Sequence, residues 1–167
     1  MNQGILSILV SNHFGVLTKV TGLFGRRGYN IKALSVGETE NPQTSRITIL
    51  TEGDLSHLEQ IHKQVFKLEE VKAAAIIPHE QLIERELLLI KVCPEEAKVG
   101  ALIELVTSNA AKAAAVPGGG VIIEASGHPK QINELIEQIR PFGVVELSRT
   151  GVTALQATNR ALSDKEQ

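Results

Sequence analysis

Residues 12–30 read NHFGVLTKVTGLFGRRGYN, and the architecture of the chain can be worked outward from them. Val16, Leu17, Val20, Leu23 and Phe24 recur at i, i+1, i+4, i+7 and i+8, the apolar stripe of an amphipathic helix. Gly15 stands where that helix should begin, so its first amides are open to close approach. Such amides attract carboxylates and phosphates. Arg26 and Arg27 place positive charge in the last turn, and Gly28 ends the helix. Upstream, residues 5–10 (ILSILV) form a nearly continuous apolar run suited to a central strand. Downstream, residues 29–36 (YNIKALSV) alternate roughly by two. The reading is strand, turn, helix, strand, with a turn able to hold a small anion or zwitterion.

The pattern then continues as a unit. Asn41-Pro42 marks a turn before the β-branched strand RITILT at 46–51. Asp54 is a good N-cap for a helix whose face carries Leu55, Leu58, Ile61, Val65 and Leu68. The run VKAAAIIP at 71–78 closes an order β-α-β-β-α-β, the ferredoxin-like unit. After a polar link at 79–85 the order begins again. ELLLIKVC at 86–93 is a strand, and Val99, Leu102, Ile103 and Val106 make a helical stripe. Residues 121–125 read as a strand, Pro129 opens a helix with Ile132, Leu135, Ile136 and Ile139, and residues 143–148 supply the last strand. The expected fold is therefore α+β, two tandem βαββαβ domains over 1–78 and 86–152, followed by a tail at 153–167 that is polar and frays from Gln156 onward, apart from some helical propensity near Ala161-Leu162. Residues 109–120 (NAAKAAAVPGGG) have almost no bulk where a core strand belongs. They read either as an Ala-rich strand with a PGGG turn or as small residues standing in for larger ones, with the second preferred and mobility expected in both cases.

Composition narrows the function. Apolar content of 43% supports a core, but aromatics reach only 3% with no Trp, so that core must be aliphatic. A formal charge of −2 supplies no attraction for nucleic acid or an anionic membrane. The single cysteine, Cys93, cannot form an internal disulfide and reads as a buried strand thiol, which favours a reducing, cytoplasmic setting. The N-terminus lacks the basic segment and apolar core of a signal peptide, and no apolar run is long enough to span a membrane.

Catalytic chemistry is hard to find. His57 and His62, five residues apart, do not share a helical face, and His13, His79 and His128 have no Cys or carboxylate at ligand spacing, so no metal site is expected. Gly22, Gly25 and Gly28 do not make a dinucleotide fingerprint, and no phosphate-binding GxxxxGK[ST] occurs. The middle strand RITILT lacks the stacking aromatics of an RNA-binding sheet. An acylphosphatase-like enzyme would need an Arg in its phosphate loop, and SNHFG has none. What remains is a binding module whose distinctive residues are Asn12, Gly15 and Asn30, each of which could also serve only a turn or a strand entry.

At these residues the chain resembles the regulatory (small) subunit of acetohydroxyacid synthase, also called acetolactate synthase. The resemblance is carried by residues 5–40 (ILSILVSNHFGVLTKVTGLFGRRGYNIKALSVGETE), SRITI, LEQIHKQVFKL, ERELLLIKV and VELSRTGV. It implies an N-terminal ACT domain, the ferredoxin-like amino-acid sensor, followed by an ACT-like domain. It implies a homodimer, formed through the ACT domains, that joins a separate catalytic large subunit using thiamine diphosphate, Mg²⁺ and FAD, with no cofactor in this chain. The family's regulatory chain stimulates that enzyme and confers feedback inhibition by a branched-chain amino acid, usually valine. Its effector positions fall on Asn12, Gly15, Val16, Leu17, Asn30 and Ile31. The chain departs from the family at Ala33, where Ser is common, and at 109–120. The alternative expectation is a stand-alone ACT sensor acting on another enzyme or on a transcription factor.

Overall fold

The computed structural model describes residues 3–164, which divide into two compact units: residues up to Ile83 together with those from Val152 onward, and Glu84–Gly151. The first unit runs β1 (Gln3–Ser11), α1 (Val16–Arg26), β2 (Ile31–Glu38), β3 (Thr44–Glu52), α2 (Leu55–Val65) and β4 (Val71–Ile77). Its strands lie in the order β2-β3-β1-β4, with every neighbouring pair antiparallel. The second unit repeats this plan with β5 (Leu82–Val92), α3 (Val99–Ser108), β6 (Lys112–Val116), β7 (Gly120–Gly127), α4 (Pro129–Ile139) and β8 (Val144–Arg149). Its strand order, β6-β7-β5-β8, is the same βαββαβ arrangement.

Helix α1 turns the expected stripe onto the sheet: Val16, Val20, Leu23 and Phe24 are buried against Leu6, Ile8, Val10, Ile47 and Ile49. Burying each such side chain contributes about 1.5–3 kcal/mol. Gly28, with φ +69°, follows the end of the helix and lets the Tyr29 N–H return to Phe24 O at 2.9 Å. Asp54 caps α2 by accepting from the His57 N–H at 2.8 Å. In α4, Pro129 takes the first position, and Ile132, Leu135, Ile136 and Ile139 are buried.

Strands β1 and β5 look alike in sequence but are used differently. All of β1 from Gly4 to Val10 is buried, whereas β5 alternates, with Leu88, Ile90 and Val92 buried and Leu89 exposed. The second face of β1 is covered by the C-terminal segment. The tail forms β9 (Thr153–Gln156), so Gln156, expected to fray, instead ends a strand, and a short 3-10 turn, Leu162–Asp164, stands where helical propensity was expected. Val152 and Ala154 pack with Ile5 and Ile77, and Leu162 packs with Leu9, Ala73 and Ala75. The physical reason is that small alanines in β4 leave an apolar trough that would otherwise face water. Residues 165–167 of the expected tail lie outside the described residues.

Two further expectations change. The Ala-rich stretch forms an edge strand, β6, paired with β7 from Lys112↔Glu124 to Val116↔Gly120. Its Ala113, Ala114 and Ala115 are exposed, so an edge position removes the need for bulk. Cys93 follows the end of β5 rather than lying within it and is exposed, its Sγ 3.4 Å from Gly119 O. No helix among the described residues is long and apolar enough to cross a membrane.

Candidate ligand site at the first helix

Strand β1 delivers the chain to the site. Its last residue, Ser11, donates its N–H to Glu70 O, and Asn12 N–H donates to Gln43 O, both at 2.9 Å. The Asn12 side chain is then fixed by its own amide: Nδ2 donates to Glu38 Oε1 at 3.0 Å and to Pro42 O at 2.8 Å. With its nitrogen so engaged, the group the Asn12 amide has left to offer is the acceptor Oδ1.

Gly15 sits at the N-cap of α1 with φ +86° and ψ −12°, in the left-handed region that favours glycine. A Cβ built there meets nothing within 4 Å, so the approach to the helix is open. No side chain caps α1 and no acidic residue lies in its first turn. The first amides therefore keep their donors and the positive end of the helix dipole is uncompensated. Val16 is buried beneath this opening, while Leu17 is 42% exposed and Phe14 is fully exposed beside it. Nearby, Lys19 pairs with Glu70. The Lys19 ammonium, hydrogen-bonded to it, holds the Glu70 carboxyl below the usual carboxylate range, so this pair adds no net charge to the opening.

Asn30 and Ile31 lie elsewhere in the chain. Ile31 pairs with Thr51 and Glu38 with Ser45, so the start of β2 is at the opposite end of the strand from Asn12. The separation along β2 is roughly 23 Å, far beyond the reach of one amino acid. Within one chain the structure thus brings Asn12, Gly15, Val16 and Leu17 together and leaves Asn30 and Ile31 apart. Asn30 is exposed; its backbone oxygen accepts from Thr51 Oγ1 at 2.7 Å. Lys32, through its hydrogen bond, is the main cause of the lowered Glu52 pKa, and the Asn30 amide adds a smaller hydrogen bond to the same carboxylate.

The residues missed from sequence are Glu38, which holds the Asn12 amide, Glu52, on which the Asn30 amide acts, and Phe14. Their spacing from Asn12 and Asn30 carries no local signal, because the contacts cross strands. The remaining outer edge of β2 is unpaired among the described residues, with Val36 exposed along it. No group of three or more His, Cys, Asp or Glu side chains among the described residues is arranged to hold a metal ion.

Comparison with known proteins places the chain in a family. Residues 6–73 match the model of the AHAS small subunit-like ACT domain, and residues 85–158 match that of the small subunit of acetolactate synthase. A probable acetolactate synthase small subunit of Archaeoglobus fulgidus is 41% identical, with 93% of this chain and 97% of that protein covered. The acetolactate synthase small subunit of Mycolicibacterium smegmatis is 38% identical over 94% of this chain and 92% of its own length. The crystal structure of the acetolactate synthase small subunit from Thermotoga maritima superposes with a TM-score of 0.88 at 38% identity, covering 96% of this chain and 100% of that one.

Proposed function

Given that the chain belongs to the acetolactate synthase small-subunit family and is a regulatory rather than a catalytic chain, we propose that its first unit senses a branched-chain amino acid, valine foremost, at a site shared by two copies. Its place is branched-chain amino acid biosynthesis, and family membership favours this role over a stand-alone sensor. The observation that carries the proposal is the open, uncapped start of α1 at Gly15, beside an Asn12 whose amide nitrogen is held by Glu38 and Pro42.

Valine is a zwitterion with a short branched side chain. Its carboxylate suits the free amides at Val16 and Leu17, and its ammonium suits an asparagine oxygen. A single chain supplies only half of such a site. Antiparallel pairing of the open β2 edge with the β2 of a second copy would supply the other half. The start of one β2 would then lie against the end of the other, where Glu38 holds Asn12. Asn30 and Ile31 of the second copy would close the pocket over Gly15, and a twofold axis would make two such pockets. Exposed Val36 and Leu17 fit burial in this contact. The catalytic large subunit, with its thiamine diphosphate, Mg²⁺ and FAD, is the partner on which the signal acts, in the cytoplasm. The first unit, residues 1–78 with the segment from Val152 packed on its sheet, is the sensing domain, and Glu84–Gly151 is the ACT-like second domain.

The test is acetolactate formation by the catalytic subunit reconstituted with this chain, measured against valine concentration. Gly15→Asp puts a carboxylate where the ligand's own should sit, and should abolish valine inhibition while stimulation survives. Unchanged inhibition would remove the effector from this turn.

A further inference from the structure

The sheet of the first unit has a second site-like feature on the face away from α1 and α2. There Ser7 of β1, Arg46 of β3, and Ala75 and Ile77 of β4 form a floor, and residues 155–162 form a roof. Between them is a cavity of about 360 Å³, within the range of small-ligand sites. Its polar lining is Ser7, Arg46, Gln156, Thr158, Asn159 and Arg160, with no carboxylate among the lining residues.

Arg46 is the telling residue. It is half-buried and donates Nη1 to Ser7 Oγ at 2.7 Å, but it forms no ion pair among the described residues. Burial lowers its pKa from the ordinary arginine value, and only Glu40, outside ion-pair distance, acts in the other direction. Contrast Arg149 in the second unit, which is clamped by both oxygens of Glu86 at 2.7 and 2.6 Å. A guanidinium carries five donors in a rigid fork, and among the described residues Arg46 uses one of them, toward Ser7. Partly desolvated cations of this kind gain most from an oxyanion that accepts two parallel hydrogen bonds. A second arginine on the roof doubles the positive charge around the same space.

We propose that this cavity is an anion site, separate from the amino-acid site at Gly15, which takes a small phosphate- or carboxylate-bearing ligand between Arg46 on the sheet and Arg160 on the C-terminal segment. The ligand fastens that segment to the sheet, because its two charged partners belong to floor and roof. Occupancy therefore stabilises the packing of Val152, Ala154 and Leu162 as well as filling the cavity.

The experiment is a titration of the full chain, observed by ¹H–¹⁵N spectra, with inorganic phosphate and, separately, acetate. A chloride series at matched ionic strength is the reference. Saturable shifts at Arg46 Nε–H and at the amides of Thr158 and Arg160, absent with chloride, are expected for at least one anion. Tighter binding of phosphate would assign a phosphate ligand; tighter binding of acetate would assign a carboxylate. Arg46→Gln and Arg160→Gln should each weaken binding by about tenfold or more. Arg160 lies on the exposed segment, so its variant keeps the test alive if Arg46→Gln perturbs folding. Shifts equal to those in chloride, or binding indifferent to Arg160→Gln, would overturn the proposal. Valine inhibition should be untouched by Arg160→Gln, which separates this site from the regulatory one.

Discussion

A site assembled from two chains makes a prediction that a site within one chain cannot mimic. Gly15→Asp damages the helix-start half, and Asn30→Ala damages the half carried by β2. In the first, a carboxylate about 4 Å from the ligand's own costs about 4 kcal/mol at an effective dielectric constant of about 20, roughly a thousandfold in affinity. The substitution is tolerable for folding: the left-handed φ of +86° costs about 1–2 kcal/mol for a residue with a Cβ, but the space is open. A negative charge at a helix start also recovers part of that cost. In the second, loss of one charge-assisted hydrogen bond costs about 1.5–3 kcal/mol, about tenfold to a hundredfold. Each variant alone forms dimers with two damaged sites. Unfolded together in equal amounts and refolded, about half of the dimers are mixed. A mixed dimer holds one doubly damaged site and one with wild-type Gly15 and wild-type Asn30. About one quarter of all sites should therefore regain wild-type affinity. The assay is acetolactate formation by catalytic subunit saturated with the mixture, at valine concentrations that inhibit with wild type and with neither variant alone. Partial inhibition is expected. A mixture as insensitive as its parents would refute the shared site and return Asn30 to a purely structural role.

The remaining predictions concern stability. Arg149→Leu strands Glu86, whose side chain is only 5% exposed, and should cost about 3–5 kcal/mol in urea unfolding; the double change Glu86→Leu/Arg149→Leu should cost less than the single one, and a larger loss would refute the reading. The Asp54 pKa is lowered chiefly by the His57 N–H and next by the Ser56 hydroxyl, so its stabilisation is present above the unfolded carboxylate value of about 4 and fades as pH falls below it. Asp54→Ala should therefore lower Tm more at pH 7 than at pH 3, and equal losses would remove the charged cap.

The helices were legible because their signals are local. The α1 and α4 stripes, the Asp54 cap and Pro129 can each be read within one or two turns, and the order βαββαβ follows from them. What covers a sheet face is not local. ILSILV and ELLLIKV look equally apolar, yet only the first is buried on both faces, because residues about 145 positions later return to cover it. Val152, Ala154 and Leu162 are scattered among polar residues, so no periodicity announces them. The Ala-rich β6 misled for a related reason, since an edge strand needs pairing more than bulk. At the site, Asn12, Gly15, Val16 and Leu17 are near in sequence and near in space. Asn30 is also near in sequence, but β2 runs the length of the sheet from it to Glu38, and that separation is a consequence of strand direction.

That separation bears on how a non-catalytic chain transmits a signal. In the proposed site, a ligand wedged between the start of one α1 and the start of a partner's β2 would gain its full binding energy only in the dimer arrangement that brings both to it. In the proposed dimer a twofold axis would give both sites the same arrangement, so filling the first would prepare the second, and binding should be positively cooperative. The same arrangement is the only quantity the ligand needs to change. A catalytic subunit that favours a different arrangement is then opposed by valine through the dimer, without any contact between valine and the active site. Linkage makes the opposition mutual: whatever factor valine imposes on the affinity for the catalytic chain, that chain imposes on valine. Couplings of this kind are typically about 1–3 kcal/mol, five- to 150-fold. Valine should consequently bind the free regulatory dimer more tightly than the stimulated complex by that order, and calorimetric titration of both states measures the ratio. Equal affinities would mean that dimer arrangement is not the carrier, and that inhibition must run through direct contact at the subunit interface.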